Sequence, residues 1–381
     1  MVALPVRKIA ISGYYGFQNS GDEAVLQSIL LALQAEGEAQ GIRVEPIVLS
    51  ADPAWTERTY GVRAVPRMKL GEVAAALRQC DGLISGGGSL LQDATGALTI
   101  PYYLTILQLA QWFGKPTFIY AQGIGPVNRR LYDPFIRGIF KRSRYLSVRD
   151  QESAELLQQM GVPAARIDVV PDPVMGLRLR ESAERKSGKE GQAPVVGISV
   201  RYWNKERAEL NALAETLKQV LSLSEREVTL RFLPFHLPSD VEASGYVMER
   251  LRELSVEPSR LQLVSGVTHP QDMLAEVSAC DVLIGMRLHS LIYAASQSVP
   301  LAGLSYDPKI DQFLHRLDMR ASASTSTDGT EFDPGRVAGE VLELLEHGEA
   351  WRAAKRDRIE RLQQEAQRPA QQIVSILRPK G

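Results

Sequence analysis

Short β-rich runs alternate with helical stretches over most of the 381 residues, and this alternation is what most constrains the fold. The run KIAIS at 8–12 leads through a glycine-rich loop into a helix that begins near Asp22. There, Ser20 and Glu23 have the S-x-x-E spacing that is typical of a capping box. The further strand candidates are VEPIVLS, GLIS, TFIYA, YLSVR and IDVV, and then VVGISVR, VTLRFLPFH, LQLVSG, DVLIG and PLAGLSY. Strands that alternate with helices in this way pair in parallel through crossover helices, so the sequence predicts an α/β protein.

A polar, highly charged run at 180–194, RESAERKSGKEGQAP, interrupts the alternation. It holds no apolar period, which is typical of a linker. We therefore predict an N-terminal Rossmann-like domain at 1–179 and a C-terminal Rossmann-like domain at 195–381. The second domain ends in a charged helix at about 334–368 that closes the fold, and contact of its basic flank with a membrane surface is an alternative role.

Two twelve-residue segments resemble each other and support this division into halves. CDGLISGGGSLL begins at Cys80 and CDVLIGMRLHSL begins at Cys280, and a proline-led strand follows each of them. Both are typical of a helix end, a short buried strand, a loop and another helix. Open α/β sheets bind ligands at the carboxyl ends of their strands. We therefore expect two similar domains that face each other across a ligand-binding cleft.

The composition excludes several classes of protein. The 44 Lys and Arg against 45 Asp and Glu, a net charge of −1, exclude a broadly basic nucleic-acid binder. Two cysteines supply neither a disulfide framework nor a zinc cluster, and they favour a reducing compartment. The N-terminus lacks the apolar core of a signal peptide, and the most apolar stretch, LTIPYYLTILQLAQWF, is too interrupted to span a membrane. We predict a soluble cytoplasmic protein with no transmembrane segment and no nucleic-acid partner.

Several familiar sites are absent from the sequence. It has no phosphate loop of the G-x-x-x-x-G-K-[ST] type, no complete G-x-G-x-x-G, no H-E-x-x-H, no G-x-S-x-G and no D-x-D pair. Its five histidines form no close pair with the spacing of metal ligands. We therefore expect neither a metal ion nor a cofactor.

The segment IGMRLHSL is the most informative for chemistry. It follows the strand at 281–284 and opens a helix near Leu288, so Arg287 and His289 lie at the carboxyl end of a strand, beside free helix-terminal amides. An arginine fork suits phosphate or carboxylate, and a histidine can transfer a proton near neutral pH. The alternative is a surface arginine and a histidine that bonds a backbone carbonyl.

Other strand ends of the second half also carry polar side chains. SYDPK places Tyr306 and Lys309 on the loop after the next strand, and Arg201 ends GISVR. His236 ends the run PFH in the same way. Lys309 is either a second cation for a bound anion or a solvated lysine at the start of a helix.

The first half has charged side chains at strand ends as well. YLSVRD places Arg149 at the end of one strand, and VVPDPV places Asp172 at the end of the next. An ion pair between Arg149 and Asp150, or a helix cap, is the alternative role. These positions add a cation and a carboxylate to the predicted ligand-binding edge.

Glycine loops follow three strands of the first half, SGYYGFQNSGDEA, SGGGSLLQD and YAQGIGPV. Glycines such as Gly87 and Gly88 let backbone amides approach a ligand, although such loops are also ordinary tight turns. Asn19, Asp22 and Ser89 can bind a hydroxylated substrate. Cations and glycine loops at strand ends in both halves together indicate an anionic small molecule and a neutral polar acceptor.

The whole ordered set of motifs resembles the bacterial polysaccharide pyruvyl transferases over about residues 8–315. The motifs are GYYGFQNSGDEAVL, SGGGSLLQD, YAQGIGPV, VRD, PDPV, GISVR, PFH, GMRLHSLIYA and GLSYDPK. Within that family, the sequence is most similar to the cell-surface-anchoring group, which acts on secondary cell-wall polymers of the kind that hold S-layers. The resemblance implies a fold like the two-domain glycosyltransferases of the B type.

The resemblance also implies a reaction. Pyruvate is transferred from phosphoenolpyruvate, the donor substrate, to an N-acetylmannosamine residue of a cell-wall polysaccharide precursor, where it forms a 4,6-linked ketal. The implied acceptor is a lipid-linked saccharide, which puts the protein in the cytoplasm, peripheral to the inner face of the cell membrane.

Site residues follow from the resemblance, motif by motif. Arg149, His289 and Lys309 match positions that the family uses for catalysis or donor binding. The predicted donor site comprises Arg287 and Leu288, which match the family's donor-binding stretch, with Tyr306 and Arg201. The predicted acceptor site comprises Asn19, Asp22, Gly87, Gly88, Ser89, Asp172 and His236.

The predicted mechanism uses these groups as cations and acids. Arg149, Arg287 and Lys309 bind the phosphate and carboxylate of the donor. His289 supplies a proton to C3, directly or through the phosphate, and a sugar hydroxyl then attacks C2. Phosphate leaves, and a second hydroxyl of the same sugar closes the ketal.

The base and the reaction class have open alternatives. Asp172 or Asp22 is the candidate base for the acceptor hydroxyl. A nucleotide-sugar-dependent glycosyltransferase of the B-type fold is the main alternative function, with the cations binding a diphosphate. The other is a non-enzymatic module that binds an anionic polymer.

Overall fold

The computed structural model describes residues 4–93, 96, 98–180, 193–324 and 331–379. The chain divides into two compact units, which are Met1–Leu177 with Leu362–Gly381, and Arg178–Arg361. Residues 181–192, most of the predicted linker, lie outside the described residues.

The first unit is built on a parallel sheet with helices between its strands. Among the described residues, its strands are β1 Val6–Ser12, β2 Arg43–Ser50, β3 Arg63–Pro66, β4 Gly82–Ser85, β5 Gly88–Leu91, β6 Thr117–Ile124, β7 Tyr145–Val148 and β8 Asp168–Val169. They pair in the order β3-β2-β1-β4-β6-β7-β8, and β5 lies beside β6. The helices are α1 Ser20–Gln40, α2 Pro53–Tyr60, α3 Leu70–Gln79, α4 Thr99–Trp112, α5 Asp133–Arg142 and α6 Gln151–Gln159.

The second unit repeats this plan. Its described strands are β9 Val195–Ser199, β10 Thr229–Phe232, β11 Leu261–Leu263, β12 Val282–Gly285, β13 Leu301–Ser305 and β14 Ala323–Ser324, and they pair in the order β11-β10-β9-β12-β13-β14. Its described helices are α7 Ala208–Leu223, α8 Ser239–Glu253, α9 Pro270–Ser278, α10 Leu288–Ser296, α11 Pro308–Arg316, α12 Pro334–Glu346 and the first part of α13 Gly348–Leu377.

Both sheets have the strand order of a doubly wound fold. Counted from its own first strand, each unit has the order 3-2-1-4, and all the described strand pairs are parallel. The predicted α/β class with two Rossmann-like domains is therefore confirmed. The chain direction across the sheet reverses between β1 and β4, and between β9 and β12. The crevice outside the carboxyl ends of such strands is where open α/β sheets bind ligands.

The last helix differs from the prediction. The sequence assigns all of it to the second domain, but residues from Leu362 onward belong to the first unit. In that part, Arg368 pairs with Asp168 of β8, with 2.9 Å between Nη1 and Oδ1. Helical periodicity is a local pattern and predicts the helix itself. The unit against which each turn of the helix packs depends on tertiary contacts.

The repeated Cys-Asp segments have a structural role. The Asp81 carboxylate accepts a hydrogen bond from the Lys8 amide at 2.8 Å, which ties the start of β4 to β1. Asp281 accepts from the Val195 amide at the same distance and ties β12 to β9. The cysteines Cys80 and Cys280 before them are buried free thiols. The internal echo thus reflects one way of joining the first and fourth strands, used twice.

Three short strands escape the sequence analysis. Arg63–Pro66 ends in proline, Gly88–Leu91 begins in the glycine stretch predicted to be a loop, and Ala323–Ser324 has two residues. Hydrogen bonds from a neighbouring strand, rather than local propensity, make these segments extended.

The most apolar stretch of the chain forms α4. Ile100, Leu104 and Leu107 of this helix are buried in the core of the first unit. Among the described residues, no helix is both long enough and apolar enough to cross a membrane.

Candidate active site

The loop between β1 and α1 is fixed by a helix cap that differs from the predicted capping box. Asn19, not Ser20, caps α1, and its side-chain oxygen accepts from a first-turn amide at 3.1 Å. Glu23 reaches back into the loop, where its Oε1 accepts from the Gly16 amide at 2.8 Å. Its Oε2 accepts from the Tyr60 hydroxyl at 2.8 Å. The capping-box prediction is therefore wrong, because α1 already begins at Ser20 and the carboxylate of Glu23 bonds Gly16 and Tyr60 instead.

Asp22 lies in the first turn of α1 at the carboxyl edge of the sheet. A Cβ on Gly88 would lie 2.8 Å from its Oδ1, so only glycine leaves room for this carboxyl. Burial raises the pKa of Asp22 from 3.8 to about 7. The Arg149 charge lowers that pKa, and the Glu23 and Asp172 charges raise it. Asp22 therefore titrates near neutral pH, which suits a group that takes up a proton.

Arg149 places a buried guanidinium at the carboxyl edge of the first sheet. Its side chain is 8% exposed, and its Nη2 donates to Ser89 Oγ at 2.8 Å. Nη1 lies 3.3 Å from Asp172 Oδ2, and Nε lies 3.6 Å from Asp150 Oδ2. The guanidinium packs on Gly123, where a Cβ would lie 2.9 Å from Nε. The structure thus brings together the predicted residues Arg149, Ser89 and Asp172 from three separate parts of the chain, and it also includes the alternative pair with Asp150.

At the consecutive glycines after β4, side-chain atoms of other residues occupy the space that a Cβ would fill. A Cβ on Gly86 would lie 2.0 Å from the Tyr15 hydroxyl oxygen, and a Cβ on Gly87 would lie 2.7 Å from Val25 Cγ1. Gly88 makes room for Asp22 in the same way. These glycines, predicted to bring amides to a ligand, allow α1 and its preceding loop to approach the strands.

Two further polar residues of this unit are buried near the same edge. Gln122 in β6 is fully buried, and neither its amide oxygen nor its amide nitrogen has a hydrogen-bond partner among the described residues. Arg67 follows β3, and its Nη1 donates to the Gly13 carbonyl at 3.1 Å. Its guanidinium lies 4.4 Å from the ring centroid of Tyr102. The residues next to Arg67 in the sequence do not predict these contacts, because the aromatic ring comes from a helix that is distant in the chain.

In the second unit, Arg287 is already paired. It lies at the start of α10, and its Nε donates to Asp240 Oδ2 at 3.1 Å while its Nη2 bonds the other carboxylate oxygen. Asp240 is fully buried and accepts from the Phe235 amide at 3.1 Å and from the His236 amide at 2.9 Å. Arg287 is therefore less available to an anion than the sequence predicts, and it holds the loop after β10 in place. Sequence reasoning missed Asp240.

Arg201 and Tyr306, two residues of the predicted donor site, lie in contact. Arg201 Nη1 donates to the Tyr306 hydroxyl at 2.6 Å, and the guanidinium lies 4.5 Å from the ring centroid of Tyr306. The Trp203 ring lies 5.4 Å from the Tyr306 ring. No carboxylate among the described residues forms an ion pair with Arg201. Its positive charge is therefore not neutralised by a carboxylate of the described residues.

His236 belongs to the same group of residues. Partial burial lowers its pKa, the Arg287 and Arg201 charges lower it further, and Asp240 opposes them. A lowered pKa favours the neutral form of the imidazole. The sequence assigns His236 to the acceptor site, whereas Asp22, Ser89 and the other predicted acceptor residues lie in the first unit.

His289 and Lys309 occupy equivalent positions on neighbouring elements. Each is the second residue of a helix, α10 and α11, and the helices follow the paired strands β12 and β13. Both side chains are half-buried. The Lys309 amide donates to Asp307, which caps α11, at 3.0 Å, and Leu288 is the first residue of α10. The helix starts put both side chains at the predicted carboxyl edge.

The described residues contain no group of three or more His, Cys, Asp or Glu that could hold a metal ion.

Known structures share this fold at very low sequence identity. UDP-N-acetylglucosamine 2-epimerase from Neisseria meningitidis, bound to UDP-N-acetylglucosamine, is 12% identical, with a TM-score of 0.62 over 97% of this chain and 100% of that one. A glycosyltransferase from Rickettsia africae ESF-5 is 9% identical, with a TM-score of 0.65 over 97% and 98%. At these identities the likeness shows the fold alone, which is that of the glycosyltransferase B type.

Sequence comparison identifies the family. The amylovoran biosynthesis protein AmsJ from Erwinia amylovora is 21% identical over 322 residues, which cover 75% of this chain and 70% of that protein. Residues 19–308, most of the chain, match the family described as polysaccharide pyruvyl transferase. The chain therefore belongs to the polysaccharide pyruvyl transferase family and is a transferase enzyme of polysaccharide biosynthesis.

Proposed function

We propose that the protein transfers pyruvate from phosphoenolpyruvate to a sugar of a cell-wall polysaccharide precursor, as a 4,6-linked ketal, with release of phosphate. The proposed acceptor is N-acetylmannosamine on a lipid-linked saccharide of the secondary cell-wall polymer, S-layer-anchoring type. The proposed place is the cytoplasm, at the inner face of the membrane. The match of residues 19–308 to the pyruvyl transferase family is the observation that carries this proposal.

The donor is assigned to the second unit because of its charges. Phosphoenolpyruvate has a phosphate and a carboxylate, which need cations that are not already neutralised. Arg201 has a tyrosine hydroxyl as its partner, whereas Arg287 is paired with Asp240. Arg201 is therefore a proposed donor cation of this unit, and Arg287 positions the start of α10. Lys309 is a proposed donor ligand by its match to the family's motif. Arg149 stays a proposed donor ligand by its match to the family's motif.

The proposed chemistry moves two protons. One proton adds to C3 of phosphoenolpyruvate, which becomes a methyl group and leaves C2 electrophilic. One sugar hydroxyl bonds to C2 and loses its proton, phosphate leaves with the electron pair of its C2–O bond, and a second hydroxyl of the same sugar takes its place. The hydroxyls release two protons, of which one balances C3 and the other protonates phosphate.

His289 and Asp22 are the proposed acid and base. His289 stands in the first turn of α10 among the proposed donor residues. Asp22 has a pKa of about 7, so it is partly ionised at neutral pH and can accept a proton from a hydroxyl. Asn19 and Ser89, near the same edge of the first sheet, are the proposed ligands of the acceptor's other hydroxyls.

The donor assay tests this function directly. The protein is incubated with an N-acetylmannosamine-containing acceptor and either phosphoenolpyruvate or a panel of nucleotide sugars. We expect phosphate release only with phosphoenolpyruvate, and a product whose mass shows an added pyruvate ketal. Consumption of a nucleotide sugar instead would mean that the protein is a glycosyltransferase.

A pair of histidine variants tests the proposed acid. His289→Ala should lower kcat by about 10²- to 10⁴-fold, which is the usual contribution of one general acid. His347→Ala, at the exposed end of α12, is the matched control and should keep wild-type turnover. Near-normal turnover of a folded His289→Ala protein would contradict the assignment.

A further inference from the structure

The loop between β1 and α1 presents two aromatic rings to solvent. The rings of Tyr14 and Phe17 stack with their centroids 4.0 Å apart and their planes 8° from parallel. The two side chains are 41% and 44% exposed, although they follow a central strand of a buried sheet. Solvated rings lose the hydrophobic stabilisation that burial would give them, so a stacked pair at a ligand-binding edge is an indication of function.

A buried cation supports the stack from behind. The Arg67 guanidinium lies 5.3 Å from the Phe17 ring centroid and 4.4 Å from that of Tyr102. Phe17 therefore contacts both the Tyr14 ring and this guanidinium. Phe17 has this cation near its ring, whereas the exposed Tyr14 ring has no cation over it among the described residues.

The loop is held in this shape by hydrogen bonds to the body of the unit. Arg67 donates to the Gly13 carbonyl at 3.1 Å, and the Gly16 amide donates to Glu23 at 2.8 Å. Tyr15, between the exposed rings in sequence, is fully buried. An aromatic ring on a fixed loop loses little conformational entropy when a ligand binds, so this surface is preorganised.

We propose that the outer face of Tyr14 is the platform on which a pyranose ring of the acceptor saccharide stacks, with Phe17 and Arg67 behind it. The C–H face of a pyranose packs against the electron-rich face of an aromatic ring, and its hydroxyls stay available for polar groups. The same loop leads into Asp22, the proposed base. The inference rests on the proposed function, which makes a saccharide the acceptor, and it names the surface that recognises the sugar.

Binding measured without donor tests the platform. The probe is a soluble disaccharide containing N-acetylmannosamine, titrated calorimetrically into the whole protein with no phosphoenolpyruvate present. Tyr14→Ala should weaken binding roughly tenfold, because stacking on an aromatic ring is lost. Tyr14→Phe, which keeps the ring, should stay within about twofold of the wild type. Phe135→Ala, at another exposed aromatic residue of the same unit, is the control and should bind normally.

The outcomes separate this inference from the proposed function. Binding that depends on Tyr14, without consumption of phosphoenolpyruvate, would retain the platform and refute the reaction. Wild-type affinity of Tyr14→Ala, or no binding of the disaccharide by the wild type, would overturn the platform even if the donor assay succeeds. An alternative outcome is that the wild type pellets with anionic phospholipid vesicles and binds no saccharide. If Tyr14→Ala abolishes that pelleting, Tyr14 is a membrane contact and the platform is overturned.

Discussion

Replacing Asp22 by asparagine should stabilise the protein at alkaline pH while it removes activity. The carboxyl is held against Gly88, and burial raises its pKa from 3.8 to about 7. Asparagine has nearly the same shape and no charge, so Asp22→Asn removes the cost of ionising a buried group. If Asp22 is the base of the reaction, the same change should lower turnover by about 10²-fold or more.

The magnitude follows from the raised pKa. The folded protein holds this proton more tightly than the unfolded chain, so the wild type loses stability as the pH rises from about 4 to about 7. Each pKa unit corresponds to about 1.4 kcal/mol, and the whole shift to about 4 kcal/mol. About 2–3 kcal/mol of that loss falls between pH 5 and pH 8. Asparagine does not titrate, so the stability of Asp22→Asn relative to the wild type should rise by that amount over this interval.

Urea unfolding at pH 5 and pH 8 measures the effect. Wild type, Asp22→Asn and the control Glu152→Gln, an exposed residue of α6, are compared by the free energy of unfolding of the first unit. We expect the difference between Asp22→Asn and wild type to grow with pH, and the control to follow the wild type. Equal pH dependence for Asp22→Asn and wild type would refute the burial argument, and full activity of the variant would refute its role as base.

Two further predictions concern buried groups. Asp240→Ala should destabilise the second unit by about 3–5 kcal/mol, because it leaves the Arg287 guanidinium and two loop amides without their acceptor. Denaturant unfolding measures the free energy of unfolding, and a decrease below about 1 kcal/mol would mean that the ion pair is solvated. Burial raises the pKa of the thiols of Cys80 and Cys280 to about 11 and about 12, so a thiol reagent at pH 8 should label them only after unfolding. Rapid labelling of the native protein would contradict that burial.

Local sequence patterns were sufficient for much of the fold. The predicted strand GLIS has the same bounds as β4. Other predicted strands in the two halves correspond to β1, β9, β12 and β13, among others. Buried parallel strands are short runs of apolar residues, so their signal is local. The same patterns left out β5, because Gly88 and Leu91 become extended by pairing with β6 rather than by local propensity.

The site could be predicted in part, for a related reason. Arg149, His289 and Lys309 were placed at strand ends, and strand ends are visible in the sequence once the strands are known. That Arg149 bonds Ser89, 60 residues away, could not be predicted from the spacing alone. The contact of Arg67 with an aromatic ring could not be predicted, because no aromatic residue lies near Arg67 in the chain and the ring of Tyr102 comes from α4.

Residues close together in the chain specify the α/β class, the repetition of the two halves and the strand ends that carry charged residues, so these features can be predicted from local patterns. Which charges have a partner depends on contacts between residues far apart in the chain. Arg287 and Asp240 are 47 residues apart and form an ion pair, while Arg201 bonds the neutral hydroxyl of Tyr306. Burial likewise decided that Asp22 titrates near neutrality, since the cost of ionising a carboxyl depends on the groups that enclose it.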